Sequence, residues 1–406
     1  MAPEIKILHT SDWHLGKKYL KKSFLAEQKY FLCWLQDIII QKSIDVLVVA
    51  GDIFDTPAPP IEAQKIYYHF LKSVTAATNC HILIIAGNHD GGHFLEAPLP
   101  FLEQHHIKIW GHLSQNPKDH LYQYKKNGHE IAFFAMPFFR TYELLNYSKI
   151  ENPGDREFIE YSLENFITAG TQGVTSKKIF IGHHLFGNYE LSGSEQLVSL
   201  SGLDSISITL LSDHFDFSLL GHIHKKQTLK TAPLIEYAGA PLPFRFGETG
   251  SKQISLYTFT AAEVLKEHNK VPLFRHLLKW EFSLEHWEEE LAHAMEKTPA
   301  SAAPLPAFLD LTIRVDKPVY GLADRARCLL KEGAFELLAF QYKLNTLQSQ
   351  PEKPASIDYQ HMQAEELFTL FYKNKFPEIE HCDKEILEDF TFFYRDKMQQ
   401  EGNILQ

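Results

Sequence analysis

Cysteine is scarce in this chain. The four present, Cys33, Cys80, Cys328 and Cys382, lie far apart and form no CxxC pair. That excludes a disulfide-framed secreted scaffold and a thiolate zinc ribbon, and fits reduced thiols in a cytoplasmic protein. Long apolar runs are missing too. No stretch approaches the roughly 18–20 residues a membrane helix needs. The opening Met1-Ala2-Pro3-Glu4-Ile5-Lys6 carries an acid and no apolar run, which argues against a signal peptide. A cytoplasmic location without a membrane partner is therefore expected. Basic excess is also absent, since 40 Lys and Arg against 51 Asp and Glu leave a net charge of −11. Taken alone, that total disfavours a polyanionic ligand, but a local basic patch or a bound cation overrides a total. Internal repeats and low-complexity tracts are lacking, which excludes a repeat array.

What is present is length, core and histidine. At 406 residues the chain has room for two or three domains, and a hydrophobic fraction of 44% supplies a sizeable core. The first half alternates apolar strands with helical periodicity. Strands are expected at Ile5–Thr10, Asp45–Ala50 and His81–Ala86, with helices over 24–41 and 60–77 between them. Further strands are expected at Glu130–Ala135, Lys178–Ile181, Phe217–Leu220, Leu234–Ala238 and Gln253–Phe259, with helix over 143–168. Such strands are too apolar to face water, so the expected α/β fold is a four-layer αββα sandwich. Character changes near residue 262. Strands at 277–282, 308–315 and 335–342 with helices at 284–297 and 322–331 read as a smaller second α/β domain over 263–345. Pro351 and Pro354 then mark a linker, and two helices separated at Pro377 complete a third region, 346–406. The second helix places Ile386, Leu387, Phe390, Phe393, Tyr394 and Met398 near one face.

Among the 22 histidines, the informative ones stand at ligand spacing. Five short motifs fall at or just past the ends of five expected strands: Ser11-Asp12-Trp13-His14, Gly51-Asp52-Ile53-Phe54-Asp55, Gly87-Asn88-His89-Asp90, Gly182-His183 and Gly221-His222-Ile223-His224. Ligands gather at strand ends because the loops there converge on one crevice. Singly, each motif is weak: a DxH triplet is more often a capping Asp beside a surface His, and an Asn-His-Asp turn is often only a turn. All five in order, each behind a strand, point to chemistry. Carboxylates, imidazoles and one amide oxygen favour manganese, iron or zinc over calcium. Asp12, His14, Asp52, Asn88, His183, His222 and His224 are too many for one ion and suit two divalent ions. The allocation is Asp12, His14 and His224 to one, and Asn88, His183 and His222 to the other, with Asp52 bridging. Two such ions clamp an in-line displacement at phosphorus.

Catalytic roles are expected for His89, which would bond the scissile phosphate or protonate the leaving oxygen, and for Asp55, whose carboxylate would hold the His89 ring. Asp90 is a rival for Asp55, and His184 competes with His183. His9, His81, His93, His105, His106, His112 and His129 stand outside any ligand pattern. Lys17-Lys18, Lys21-Lys22 and Lys225-Lys226 are either solvated surface or contacts to phosphates beside the scissile one.

The motifs resemble the calcineurin-like metallophosphoesterases, and the surrounding words resemble one branch, the SbcD nucleases related to the meiotic-recombination nucleases. The resemblance rests on the run from His9 to Lys17, on Ala50 to Pro57, and on Leu220 to Lys225. Tyr237-Ala238-Gly239-Ala240-Pro241 is similar to that family's closing segment, with two alanines where serine is usual; Gly91-Gly92 replaces a frequent Ser-Pro. The resemblance implies manganese-dependent cleavage of DNA ends and hairpins, manganese standing ahead of magnesium, iron or zinc. It also implies that the smaller α/β domain over 263–345 is a DNA-capping domain, a coiled-coil SbcC-type ATPase docked on the C-terminal helices, and a homodimer within a heterotetramer. The competing readings are a phosphodiesterase for small nucleotides and a metal-free scaffold on the same fold.

Overall fold

The computed structural model describes residues 4–344 except 21, 149–155, 195–204, 247, 249, 261–262, 299–302, 318 and 331–333, together with seven residues between 368 and 391. Contacts divide the chain into two units, Met1–Leu344 and Asn345–Gln406.

The first unit begins with β1 (Ile5–Thr10) and a small hairpin of β2 (Lys18–Tyr19) and β3 (Lys22–Ser23). It continues through α1 (Leu25–Lys42), β4 (Val46–Ala50), α2 (Ile61–Ala77), β5 (His81–Ile85), the short helices α3 (Gly92–Glu96) and α4 (Leu99–Leu102), and β6 (Ile107–Trp110). Next come β7 (Leu121–Lys126), β8 (His129–Met136), α5 (Thr141–Ser148), α6 (Arg156–Thr171), β9 (Lys177–Gly182) and α7 (Ile208–His214). Then follow β10 (Phe217–Leu220), β11 (Gln227–Thr231), β12 (Leu234–Tyr237), β13 (Gln253–Phe259) and β14 (Val264–Lys270). Two six-stranded sheets result, ordered β14-β13-β1-β4-β5-β6 and β11-β12-β10-β9-β8-β7.

Alternation of side chains along the strands produces the layers. Ile5, Ile7, Val46, Val48, Leu83 and Ile85 point inward and meet Ile131, Phe133, Ile179, Ile181 and Leu219 of the second sheet. Leu8, Leu47, Val49, Ile82 and Ile84 point outward and pack under Phe31, Leu35 and Ile39 of α1 and Tyr67, Phe70 and Val74 of α2. Phe134, Phe180, Leu220 and Ile235 do the same beneath α6 and α7. The αββα sandwich expected from the sequence is the fold found. The helix expected over 143–168 is instead two helices, α5 and α6. β14 pairs with β13 along its length, so the first sheet runs to Lys270, past the boundary expected at 262.

A third, three-stranded parallel sheet follows, from β15 (Leu277–Ser283), β16 (Ala307–Val315) and β17 (Phe335–Leu344), with α8 (Trp287–Lys297) and α9 (Leu322–Leu329) as its connections. Its core is its own, around Trp287, Leu291, Leu309, Leu311, Ile313 and Leu322. Arg275 ties it to the sandwich: its guanidinium pairs with the buried Glu27 of α1 and covers the Phe308 ring at 3.9 Å. Of the second unit, the described residues show the Phe368 and Phe390 rings stacked at 4.1 Å. The helix face expected there otherwise lies outside the described residues. No helix among the described residues is long and apolar enough to cross a membrane.

Candidate metal centre

β1, β4 and β5 are neighbouring parallel strands of the first sheet, and β9 and β10 of the second, so the loops leaving their ends meet at one rim of the sandwich. The first two loops are knitted together by their backbones: Asp12 N–H donates to Gly51 O at 2.9 Å, and His14 N–H to Asp52 O at 3.0 Å. From α1, the buried Gln28 side chain donates to His14 O at 2.6 Å and accepts from Gly16 N–H at 3.0 Å. Asp12, His14, Asp52 and His222 hold φ of 54°, 46°, 51° and 91°. Side chains rarely adopt this left-handed backbone, and its cost of about 1–3 kcal/mol per residue persists where surroundings enforce a functional geometry. Glycine is required at two neighbouring points. A Cβ on Gly51 would stand 2.2 Å from His183 Nδ1, and one on Gly87 2.1 Å from Asp52 Oδ1.

The structure brings all seven expected ligands into one buried hollow. Ligand atoms of Asp12, His14 and His224 lie within 4.8 Å of one another, as do those of Asp52, His183 and His222. Asp52 Oδ2 stands between the sets, 3.6 Å from His14 Nε2 and 3.3 Å from His183 Nε2. Asn88 Oδ1 joins the second set, 3.2 Å from His183 Nε2 and 2.8 Å from His222 Nδ1. The His222 amide donates to both Asp12 oxygens, at 3.0 and 3.2 Å, and Ser11 Oγ donates to Oδ2. His184 turns away from the hollow. Its ring packs on Phe138 and Phe139, and its Nε2 accepts the Phe139 amide at 3.2 Å.

The donor set fits divalent cations on geometry alone. His183 Nδ1–H donates to Ala50 O at 2.7 Å, His224 Nδ1 meets Ser194 Oγ at 2.7 Å, and His14 Nδ1 lies 3.3 Å from Asp55 Oδ1. These three rings turn Nε2 inward, with the far nitrogens of His183 and His224 held by hydrogen bonds and that of His14 facing the Asp55 carboxylate, whereas His222 presents Nδ1 to Asn88. The Nε2 atoms of His14 and His224 face each other at 3.0 Å, close enough to share one proton or one cation. Electrostatics agree. Burial opposes charge on His183, yet Asp52 and then Asp12 lift it to about 9. Burial, with the His183 charge beside it, drives His222 down to about 3. Burial raises Asp12 to about 6 against the pull of His183. Asp52 is held well below the usual carboxylate range, burial being outweighed by His183, His14 and His89.

His89 stands at the rim, half-buried, its ring edge-on to His14 at 4.8 Å. Its amide donates to Asp52 Oδ1 at 2.9 Å, and its Nδ1 bonds the main-chain oxygen of Asp55 at 2.9 Å. The expectation that the Asp55 carboxylate holds this ring is therefore corrected. That carboxylate faces His14 and takes Lys17 Nζ at 2.9 Å, and the backbone of Asp55 does the holding. Asp90 is no substitute, because the amides of Ile53, Phe54 and Gly87 occupy its oxygens at 2.8–3.0 Å. Lys226 also departs from expectation. It points inward to Glu236 at 2.9 Å and so cannot touch a phosphate, while Lys225 pairs with exposed Glu190.

Two contributors escaped the sequence. Ser194 sits in a Ser-Gly-Ser loop with no motif to flag it. Gln28 carried a weak signal, an amide on the apolar stripe of a helix.

The family model described as calcineurin-like phosphoesterase matches residues 5–226. The SbcD component of the SbcCD nuclease from Escherichia coli strain K12 is 28% identical over 82% of this chain and 84% of its own length. Its namesake from Rhodobacter capsulatus is 29% identical over 78% and 82%, and that from Bacillus subtilis strain 168 is 30% identical over 61% and 64%. The match spans the whole run of motifs from β1 to His224, and the chain belongs to the calcineurin-like phosphoesterases, metal-dependent hydrolases of phosphate esters.

Proposed function

We propose that this chain is the nuclease subunit of a DNA-processing complex, hydrolysing phosphodiesters with two divalent ions, manganese first among them. The observation that carries the reading is Asp52 Oδ2 standing between two ligand triads, 3.6 and 3.3 Å from an imidazole of each. Asp12, His14 and His224 would hold one ion, Asn88, His183 and His222 the other, with Asp52 shared. Bound there, such ions supply Lewis acidity and a hydroxide at neutral pH.

The chain's own residues do the rest. Two carboxylates leave a positive excess against two dications, which suits a diester despite the acidic total. His89 keeps its Nδ1 proton on Asp55 O, so Nε2 is the atom that holds or passes a proton toward the leaving oxygen. Asp55 and Ser194 fix the rings of His14 and His224, and the fold's hollow excludes bulk water around Asp12 and Asp52. Nuclease activity and an SbcC partner are inferred from the subunit names of relatives that this chain matches over most of their length, and DNA as substrate, ATPase activity in the partner, a homodimer in a heterotetramer and a cytoplasmic location from the family resemblance. In this reading the β15–β17 sheet caps the DNA, and residues 346–406 dock the ATPase.

The test is purified full-length chain with manganese on end-labelled hairpin and linear duplex DNA, beside small diester substrates. DNA cleavage that disappears in Asp52→Asn is the expected result. Hydrolysis of small diesters only would reassign the substrate to small nucleotides, and no bound metal in the wild type would leave a scaffold.

A further inference from the structure

A second group of metal-type ligands lies on the surface and shares no residue with the hollow. His93 and Glu96 stand three apart on α3, hence on one face of that helix. Phe94 and the buried Leu95 between them anchor the opposite face in the core under the first sheet. His112 follows β6, exposed between the inward-facing Gly111 and Leu113. One ligand atom from each of the three lies within 4.8 Å of the others. Glu96 Oε2 is 2.7 Å from His112 Nδ1, and the rings of His93 and His112 are 4.9 Å apart.

Two features make this more than a chance surface pair. Glu96 is already oriented, because its other oxygen accepts the Gly111 amide at 2.6 Å. The backbones that carry the ligands also touch: a Cβ on Gly92 would lie 2.0 Å from Gly111 O, and one on Gly111 2.2 Å from Gly92 O. Neither glycine tolerates a side chain, so Gly92 and Gly111 together let α3 approach the end of β6 closely enough to bring the three ligands together.

We propose that His93, Glu96 and His112 form a surface zinc site that clips α3 to the end of β6. Two imidazoles and one carboxylate suit zinc over calcium or magnesium, which prefer oxygen throughout. Exposure of both histidines leaves an entry path and a coordination position for water. The clip closes just after Asn88, His89 and Asp90, so it fastens the far end of the loop that carries them.

The test counts zinc on the full chain by atomic emission, after loading with zinc chloride and desalting, in four proteins: wild type, Asp52→Asn, His93→Ala/His112→Ala, and the combination. Removing the two histidines should cost about one zinc per chain in either background, and cobalt loaded in place of zinc should lose its low-coordinate visible spectrum. Both histidines are exposed, so the fold stays intact. An unchanged zinc count on their removal overturns the site and leaves only a His112–Glu96 ion pair. Because the comparison is made in both backgrounds, its outcome does not depend on whether Asp52 bridges ions in the hollow.

Discussion

His89 and Ser194 separate two ways a residue can serve the hollow. His89 brings a ring nitrogen within 4.8 Å of ligand atoms of His14 and Asp52, and it is placed by its amide on the Asp52 carboxylate and its Nδ1 on the Asp55 main-chain oxygen. His89→Ala should therefore keep its metals while kcat falls by roughly two to four orders of magnitude, the usual worth of general acid–base help. Metal analysis beside single-turnover kinetics checks this, and metal loss in that variant would end the proposed role. Ser194 works through His224, whose Nδ1 it meets at 2.7 Å. Ser194→Ala should weaken metal affinity by about 10–100-fold with kcat restored at saturating manganese. A fall in kcat that excess metal fails to restore would place Ser194 on the substrate instead.

At the level of elements, the sandwich is held by apolar faces and by a buried polar knot between its sheets. Glu236 of β12, on the second sheet, takes Lys226 at 2.9 Å and Lys266 of β14, and accepts from Ser255 and Tyr257 of β13 at 2.6 and 2.8 Å. Burial opposes its charge, yet Lys226 and these donors hold it well below the usual carboxylate range. Glu236→Ala would strand Lys226 inside, and should cost about 3–5 kcal/mol in urea unfolding. Pairing it with Lys226→Met should recover much of that; a full additive loss would contradict the knot. None of this was legible in the sequence, since Lys226 follows His224 closely enough to read as a phosphate contact and Glu236 sits in an ordinary strand. The strands and the motifs behind them were legible, because short continuous apolar runs and Gly-Asp or Gly-His at their ends are local signals. His183 over His184 was legible only as the first position past its strand. The choice depends on which ring the fold turns toward Asp52 and which toward Phe138 and Phe139.

For the molecule as a whole, buried neutral histidines set the response to acid. Burial lowers His9 to about 3 and His120 to about 4, and puts His184 and His224 well below the ordinary 6.5; His81 and His222, at about 4 and about 3, add to them. Unfolded, each takes a proton near pH 6.5; folded, each refuses it until far lower. The unfolded chain therefore binds more protons between pH 6.5 and about 4, and stability falls as pH drops through that window. Asp12 and Asp90, raised by burial to about 6 and about 7, pull the other way there, but two carboxyls oppose six imidazoles. His183 has the reverse sign: held at about 9 by Asp52 against burial, it stabilises below pH 6.5 and that contribution fades as pH climbs to 9. Metal-free protein should thus show a urea midpoint that declines on both sides of neutrality. Manganese needs His183 without its proton, so saturating metal should flatten the alkaline side and leave a steeper acid one, as falling pH also releases the ion. Urea titrations from pH 4.5 to 9, with chelator and with manganese, read both limbs. An acid limb that stays flat in chelator would mean these histidines titrate freely and are not buried as described, and an alkaline limb indifferent to manganese would mean that His183 does not face the ion.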